Sequence, residues 1–178
     1  MFHRILPSDN FLERIASKPK MITSKEYEWI REFYGGKAAV RSKVPLIQHI
    51  DEGLKILSEI GASEFAKRAF CLHPIFQSDS DLEANFRRAK DVDGYVMMLV
   101  MEYRKTANSY LSKRIIQSIE EIELSPILEV NQMLYADKIQ NQKDFQIHHA
   151  NSHPRSQELE TYFKNWLQRL EPVIFSKS

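Results

Sequence analysis

The chain has 178 residues, 43% hydrophobic and 28% charged, with a formal net charge of +1. That is enough for one sizeable core, and it fits a soluble globular domain. The near-zero balance excludes a global electrostatic argument for nucleic acid or an anionic membrane surface. A lone Cys71 excludes an intrachain disulfide and, in the apolar run Ala69-Phe-Cys-Leu72, reads as a buried inert thiol.

Five glycines disfavour a turn-rich β protein, and the apolar spacing is helical almost throughout. A short helix is expected over 8–16, with Phe11, Leu12 and Ile15 on one face. Residues 1–22 form an N-terminal extension, packed on the domain or flanking it. Ser24 precedes a second helix carrying Tyr27, Ile30, Phe33 and Tyr34, which Gly35-Gly36 stops. Pro45 introduces a helix over 46–60 with Ile47, Ile50, Leu54 and Leu57 as its stripe, closed by Gly61. Ser63 caps the next, over 64–76, and Ser78-Asp-Ser-Asp81 starts a short one at 82–89.

A long helix comes next over 94–111, with Val96, Leu99, Val100, Tyr103, Ala107 and Tyr110 inward. Met97, Met98 and Met101 read as core packing with it. Helices over 113–122, 128–149 and 157–170 complete the chain, the last burying Leu159, Phe163, Trp166 and Leu170. The expectation is an all-α single domain of eight to ten helices over 1–178. No run has the length of a membrane span, and the N-terminus lacks the basic-then-apolar layout of a signal peptide, so the cytoplasm is the expected compartment.

Three residues of metal-ligating type fall on three helices: His49 early in one, His73 late in the next, and Asp137 inside a third. Neutral imidazole and carboxylate are suitable donors for a divalent ion, and short turns pack successive helices as neighbours. Taken singly, a core histidine reads as structural and an aspartate on a helix as solvated. His148, His149 and His153 read as surface residues at a helix end, because adjacent histidines on a helix point about 100° apart.

The segments around those three residues resemble the HD-domain phosphohydrolases, in particular the hydrolase domain of the bifunctional (p)ppGpp synthetase/hydrolases and their small stand-alone ppGpp hydrolase relatives. Pro45-Leu-Ile-Gln-His49 is similar to the family's Pro-Tyr-Ile-x-His. Cys71-Leu-His73-Pro stands where the family has Leu-Leu-His-Asp. Tyr135-Ala-Asp137-Lys-Ile-Gln-Asn141 is similar to Leu-Ala-Asp-Lys/Arg-Leu-x-Asn. The resemblance spans about 34–145 and implies an HD-like helical bundle. It implies metal ligation by His49, His73 and Asp137, with Mn²⁺ as the ion, and a nucleotide polyphosphate such as (p)ppGpp as substrate. It also implies that Arg41, Lys43, Lys138 and Asn141 contact that substrate, with Lys37 and the pair Lys113-Arg114 as further cations.

The departures are concentrated. Pro74 replaces an aspartate ligand, and Gln77-Ser78 replace a Glu-Asp pair that activates water in the family. Gln77 is no general base near neutral pH. Asp79, one residue further on, is the substitute base if Pro74 redirects the chain, as a proline in a helix does. Two readings result: a divergent HD-type metallophosphohydrolase, or an inactive protein on that scaffold that binds a nucleotide or a protein in a regulatory role. Neither involves a membrane or nucleic acid, and homo-oligomerisation is left open.

Overall fold

A computed structural model describes residues 24–40, 42–111, 116, 118–150 and 153–176. The expected helix at 8–16, Arg41, Lys113 and Arg114 lie outside the described residues. Among the described residues there are seven α-helices: α1 Lys25–Tyr34, α2 Ile47–Glu59, α3 Glu64–Leu72, α4 Asp79–Ala89, α5 Gly94–Leu111, α6 Leu128–His148 and α7 Ser156–Ile174. Single 3-10 turns span His73–Ile75 and Ile119–Glu121. The domain is all-α, and no described helix is long and apolar enough to cross a membrane.

Side-chain caps fix three of the starts. Ser24, Ser63 and Ser78 each accept a hydrogen bond from the backbone N–H three residues on, at 3.1, 3.2 and 3.1 Å. Each cap satisfies a donor that the helix would otherwise leave open, worth about 1 kcal/mol. Gly35 ends α1 in the left-handed region at φ 50°, which a side chain rarely adopts.

Two boundaries differ from the sequence expectation around Pro74. The helix expected over 64–76 stops at Leu72, and His73–Ile75 tightens into the 3-10 turn with Pro74 near its start. Proline has no N–H to continue the α ladder, and it suits the first turn of a new element. The expected 82–89 helix then begins earlier, at Asp79, because Ser78 is its cap. Of the helix expected over 113–122, only the turn Ile119–Glu121 is helical among the described residues; Ile116, Ser118 and Ile122 are not.

The central element is α6, packed against α7, α2, α5 and α3. Residues 130–138 of α6 are all buried, so polar Asn131, Gln132, Asp137 and Lys138 lie inside together with Val130, Met133 and Leu134. Polar groups survive such burial only when partnered. Asn131 meets this by bonding both ways with Ser125: its Oδ1 accepts from the Ser125 N–H at 3.0 Å and its Nδ2 donates to the Ser125 carbonyl at 2.8 Å. The core continues through Phe70, Leu72, Ile75, Phe76, Leu99 and Trp166, each fully buried.

Between α1 and α2 the chain makes a narrow loop, closed by an antiparallel bridge of Ala38 with Pro45. The Leu46 N–H donates to the Lys37 carbonyl at 2.9 Å. Lys43 sits in this loop at φ 61°.

Candidate metal centre

His49 belongs to the first turn of α2, His73 comes directly after the last residue of α3, and Asp137 lies in the middle of α6. The three helices bring one donor atom from each residue to within 4.8 Å of the others. Nε2 of His49 lies 3.2 Å from Nε2 of His73. Asp137 Oδ1 lies 3.4 Å from the first and 3.6 Å from the second.

The ring orientations are set on the far sides of the imidazoles. His73 Nδ1 lies 2.6 Å from the Phe70 carbonyl oxygen, and His49 Nδ1 lies 2.5 Å from Gln140 Oε1. Both partners are acceptors, so both rings carry their hydrogen on Nδ1 and turn Nε2 lone pairs towards each other. Three electron-pair donors therefore face one point. A charge-assisted hydrogen bond of ring to carboxylate would close to about 2.7–2.9 Å, shorter than either separation here. Metal–nitrogen bonds of about 2.0–2.1 Å place neighbouring ligands about 3.0 Å apart in an octahedron and about 3.4 Å apart in a tetrahedron. The triangle has the size of one face of a metal's ligand shell, and this group can hold a metal ion.

The electrostatics agree. Burial lowers the His49 ring below the ordinary histidine value, only partly opposed by Asp137, which favours the neutral ligand form. Burial would raise the Asp137 carboxyl, but the Lys138 ammonium beside it leads the opposing interactions and holds it well below its usual range. Lys138 Nζ donates to Asp137 Oδ2 at 2.7 Å, and Asn141 Nδ2 donates to Oδ1 at 2.8 Å. Lys138 also lies over the rings of Tyr162 and Trp166, at 5.5 and 5.6 Å from their centroids. Asp137 is thus ionised, with its orientation fixed from two sides.

The cluster opens onto a cavity of about 930 Å³. Its walls include Tyr34, Val40, Val44, Tyr103, Phe145, Tyr162 and Phe163. Pro74, Gln77 and Ser78 form part of the wall beside His73, so these three positions face the site. Gln77 Nε2 donates to Asn108 Oδ1 at 2.8 Å. Asp79 is turned away: its carboxylate is exposed and ion-paired with Arg104, and it does not line the cavity. Lys43 is exposed and also outside the lining, and Lys37 is exposed above the Phe33 ring. Cys71 is fully buried, and burial pushes its thiol far up, consistent with an inert group.

Several lining residues have no role in the sequence reading. Asp81, at the third position of α4, lines the cavity and accepts from Ser78 Oγ at 2.5 Å. The Ser78-x-x-Asp81 spacing marks a helix start, which is the local signal for it. Tyr103 reads as core, yet its hydroxyl faces Asp137; burial and then that negative charge push it well above its usual range. His149 and His153, read as surface residues, are half-buried in the wall, while His148 is exposed. No family model, curated protein or solved structure matches the chain.

Proposed function

We propose that this protein is an HD-type, divalent-metal-dependent phosphohydrolase acting on a nucleotide polyphosphate, with (p)ppGpp as the lead substrate and Mn²⁺ as the ion. The observation that carries the reading is the convergence of His49 Nε2, His73 Nε2 and Asp137 Oδ1 at 3.2–3.6 Å in the wall of a nucleotide-sized cavity. A divalent ion held by these three supplies Lewis-acid polarisation of a phosphoryl oxygen and neutralises charge at phosphorus.

The chain's own residues do the rest. Lys138 and Asn141 hold Asp137 ionised and oriented. Tyr34, Tyr162 and Phe163 offer faces for a base or other apolar ring. His153 Nδ1 accepts from the Arg155 N–H at 3.1 Å, so the hydrogen of its neutral ring is on Nε2, available to a phosphate oxygen. Arg41, outside the described residues, is the loop cation that the resemblance assigns to the nucleotide. Because Asp79 faces Arg104, the proton of the attacking water goes to Asp81, a carboxylate on the wall whose hydrogen bonds among the described residues come from Ser78 Oγ and not from a cation.

A second reading is favoured by one observation: Pro74, Gln77 and Ser78, where the family has carboxylates, all face the cavity. On that reading the site binds a nucleotide without turning it over. Phosphate and pyrophosphate release from a nucleotide panel, measured with and without Mn²⁺, separates the two. Metal-dependent release that His73→Ala abolishes supports the hydrolase. Nucleotide binding with no release in any metal supports the regulatory protein and ends the hydrolase reading.

A further inference from the structure

Gln140 does more than cap a ring nitrogen. A primary amide has an accepting end and a donating end of nearly the same shape. If it turned over, its NH₂ would face His49 Nδ1, the ring hydrogen would move to Nε2, and one of the three lone pairs would vanish from the cluster. The groups that set the polarity of this amide therefore set whether the cluster is a ligand group at all.

The donating end of Gln140 is held among carboxylates. Its Nε2 donates to Asp144 Oδ2 at 2.7 Å, one turn further along α6. The amide also lies against Glu52, whose carboxyl burial would raise but which Lys143 and the amides of Gln48 and Gln140 hold low. Lys143 ties the two acids together: it is ion-paired with Glu52 and lies 3.9 Å from Asp144 Oδ1. Gln48 closes the group from α2, donating to Glu52 Oε1 at 2.9 Å. A turned amide would put its oxygen against these carboxylates, which repel it. Gln140 is only 1% exposed, so no bulk water is at hand to replace the lost bonds.

We propose that Gln140 is a positioning residue for His49, with its amide polarity locked by Asp144 and Glu52, so that His49 is held in the Nδ1–H form with its Nε2 lone pair directed into the cluster. This rests on the reading of the cluster as a metal site, and outer partners of this kind typically change metal affinity by about 10–100-fold. Glu52 and His49 share α2 while Gln140, Lys143 and Asp144 share α6, so the same network also pins the two helices that carry two of the three ligands.

The test is ¹⁵N–¹H correlation spectroscopy of the histidine rings in metal-free protein, followed by Mn²⁺ titration of the same samples. In the wild type both His49 and His73 are expected as Nδ1–H. In Gln140→Met, and separately in the double variant Glu52→Gln/Asp144→Asn, the His49 Nε2–H form becomes populated. His73 stays Nδ1–H in both, held by the Phe70 carbonyl, and serves as the control for folding. Mn²⁺ affinity falls about 10–100-fold in Gln140→Met. His49 in the Nε2–H form in the wild type, or unchanged Nδ1–H in both variants, overturns the proposal. Correct tautomers without any Mn²⁺ binding would instead remove the metal reading and leave the positioning role standing.

Discussion

Gly53 and Phe70 meet face to face between α2 and α3: a β-carbon on Gly53 would lie 2.2 Å from the Phe70 ring. Gly53 is one turn beyond His49, and Phe70 is just before His73. The Phe70 ring stacks on His49 at 5.8 Å between centroids, and its carbonyl holds His73 Nδ1. The close approach of two helices at this glycine sets the separation of the two imidazoles.

Gly53→Ala is therefore expected to destabilise the protein. A helix interior gains up to about 1 kcal/mol from Gly to Ala, but forcing the rigid ring aside in a packed core costs about 1–3 kcal/mol. The ring is fully buried between α2 and α3, so the net effect is a loss, read from the denaturant midpoint. Metal binding should weaken in the same variant, because His49 and His73 are displaced from each other. A stabilised Gly53→Ala protein would contradict the packing argument.

Placing an acid at position 74 should strengthen the metal site. Pro74 faces the cavity beside His73, near the start of a 3-10 turn, where its missing N–H is one that no helical partner requires. Pro74→Asp adds a carboxylate donor and a negative charge next to the ion. Mn²⁺ affinity should rise at least about tenfold by the ligand-affinity scale that supporting residues already reach. Unchanged affinity would mean that the side chain at 74 does not reach the ion.

Asp79 and Asp81 make opposite predictions. Asp79 is an exposed surface acid paired with Arg104. Asp79→Asn should change stability by no more than about 0.5 kcal/mol and leave hydrolysis unaltered. Asp81→Asn should lower the turnover number with little change in substrate binding. Steady-state kinetics of the two variants side by side decide between them.

Glu26, at the start of α1, contributes to acid stability. It is buried at 1% exposure, and Arg68 Nε and a terminal nitrogen donate to its two oxygens at 3.1 and 2.9 Å. Burial alone would raise its carboxyl, but the paired guanidinium outweighs burial and holds it below its ordinary 4.5. A folded value below the unfolded one means the stabilisation is complete above the unfolded value. It is lost as pH falls through the folded one, so the loss begins below 4.5. Glu26→Gln should cost about 1–2 kcal/mol at neutral pH by removing the charge that pairs with the partly exposed Arg68, and flatten this part of the acid transition. Chemical denaturation at neutral and acid pH measures both.

The long elements were readable because their apolar spacing is unambiguous. The 94–111 expectation agrees with α5 residue for residue, and 128–149 overshoots α6 by one residue. His49, His73 and Asp137 were readable as a set through the three motif segments and not through spacing: α6 meets α2 and α3 in the bundle although α4 and α5 lie between them in the chain. The local path after Pro74 was not. Periodicity identifies the face of a helix only while the helix continues, and the 3-10 turn rotates the start of α4, so that Asp81 and not Asp79 reaches the wall. His149 and His153 were hidden for a similar reason: the helix end brings them to a wall they share with Leu159, Tyr162 and Phe163 of α7. The Gly53–Phe70 contact was equally hidden, because a lone glycine in a helical pattern does not say which neighbour approaches it.

Binding of a divalent ion by His49, His73 and Asp137 is the claim on which the proposed function depends. Calorimetric titration of Mn²⁺ into metal-stripped protein, with Asp137→Asn alongside and circular dichroism to confirm that both are folded, tests it most directly. One ion per chain is expected in the wild type, with loss of that binding in Asp137→Asn. Folded wild-type protein that takes up no Mn²⁺, or a folded Asp137→Asn variant that binds it as tightly, would contradict it.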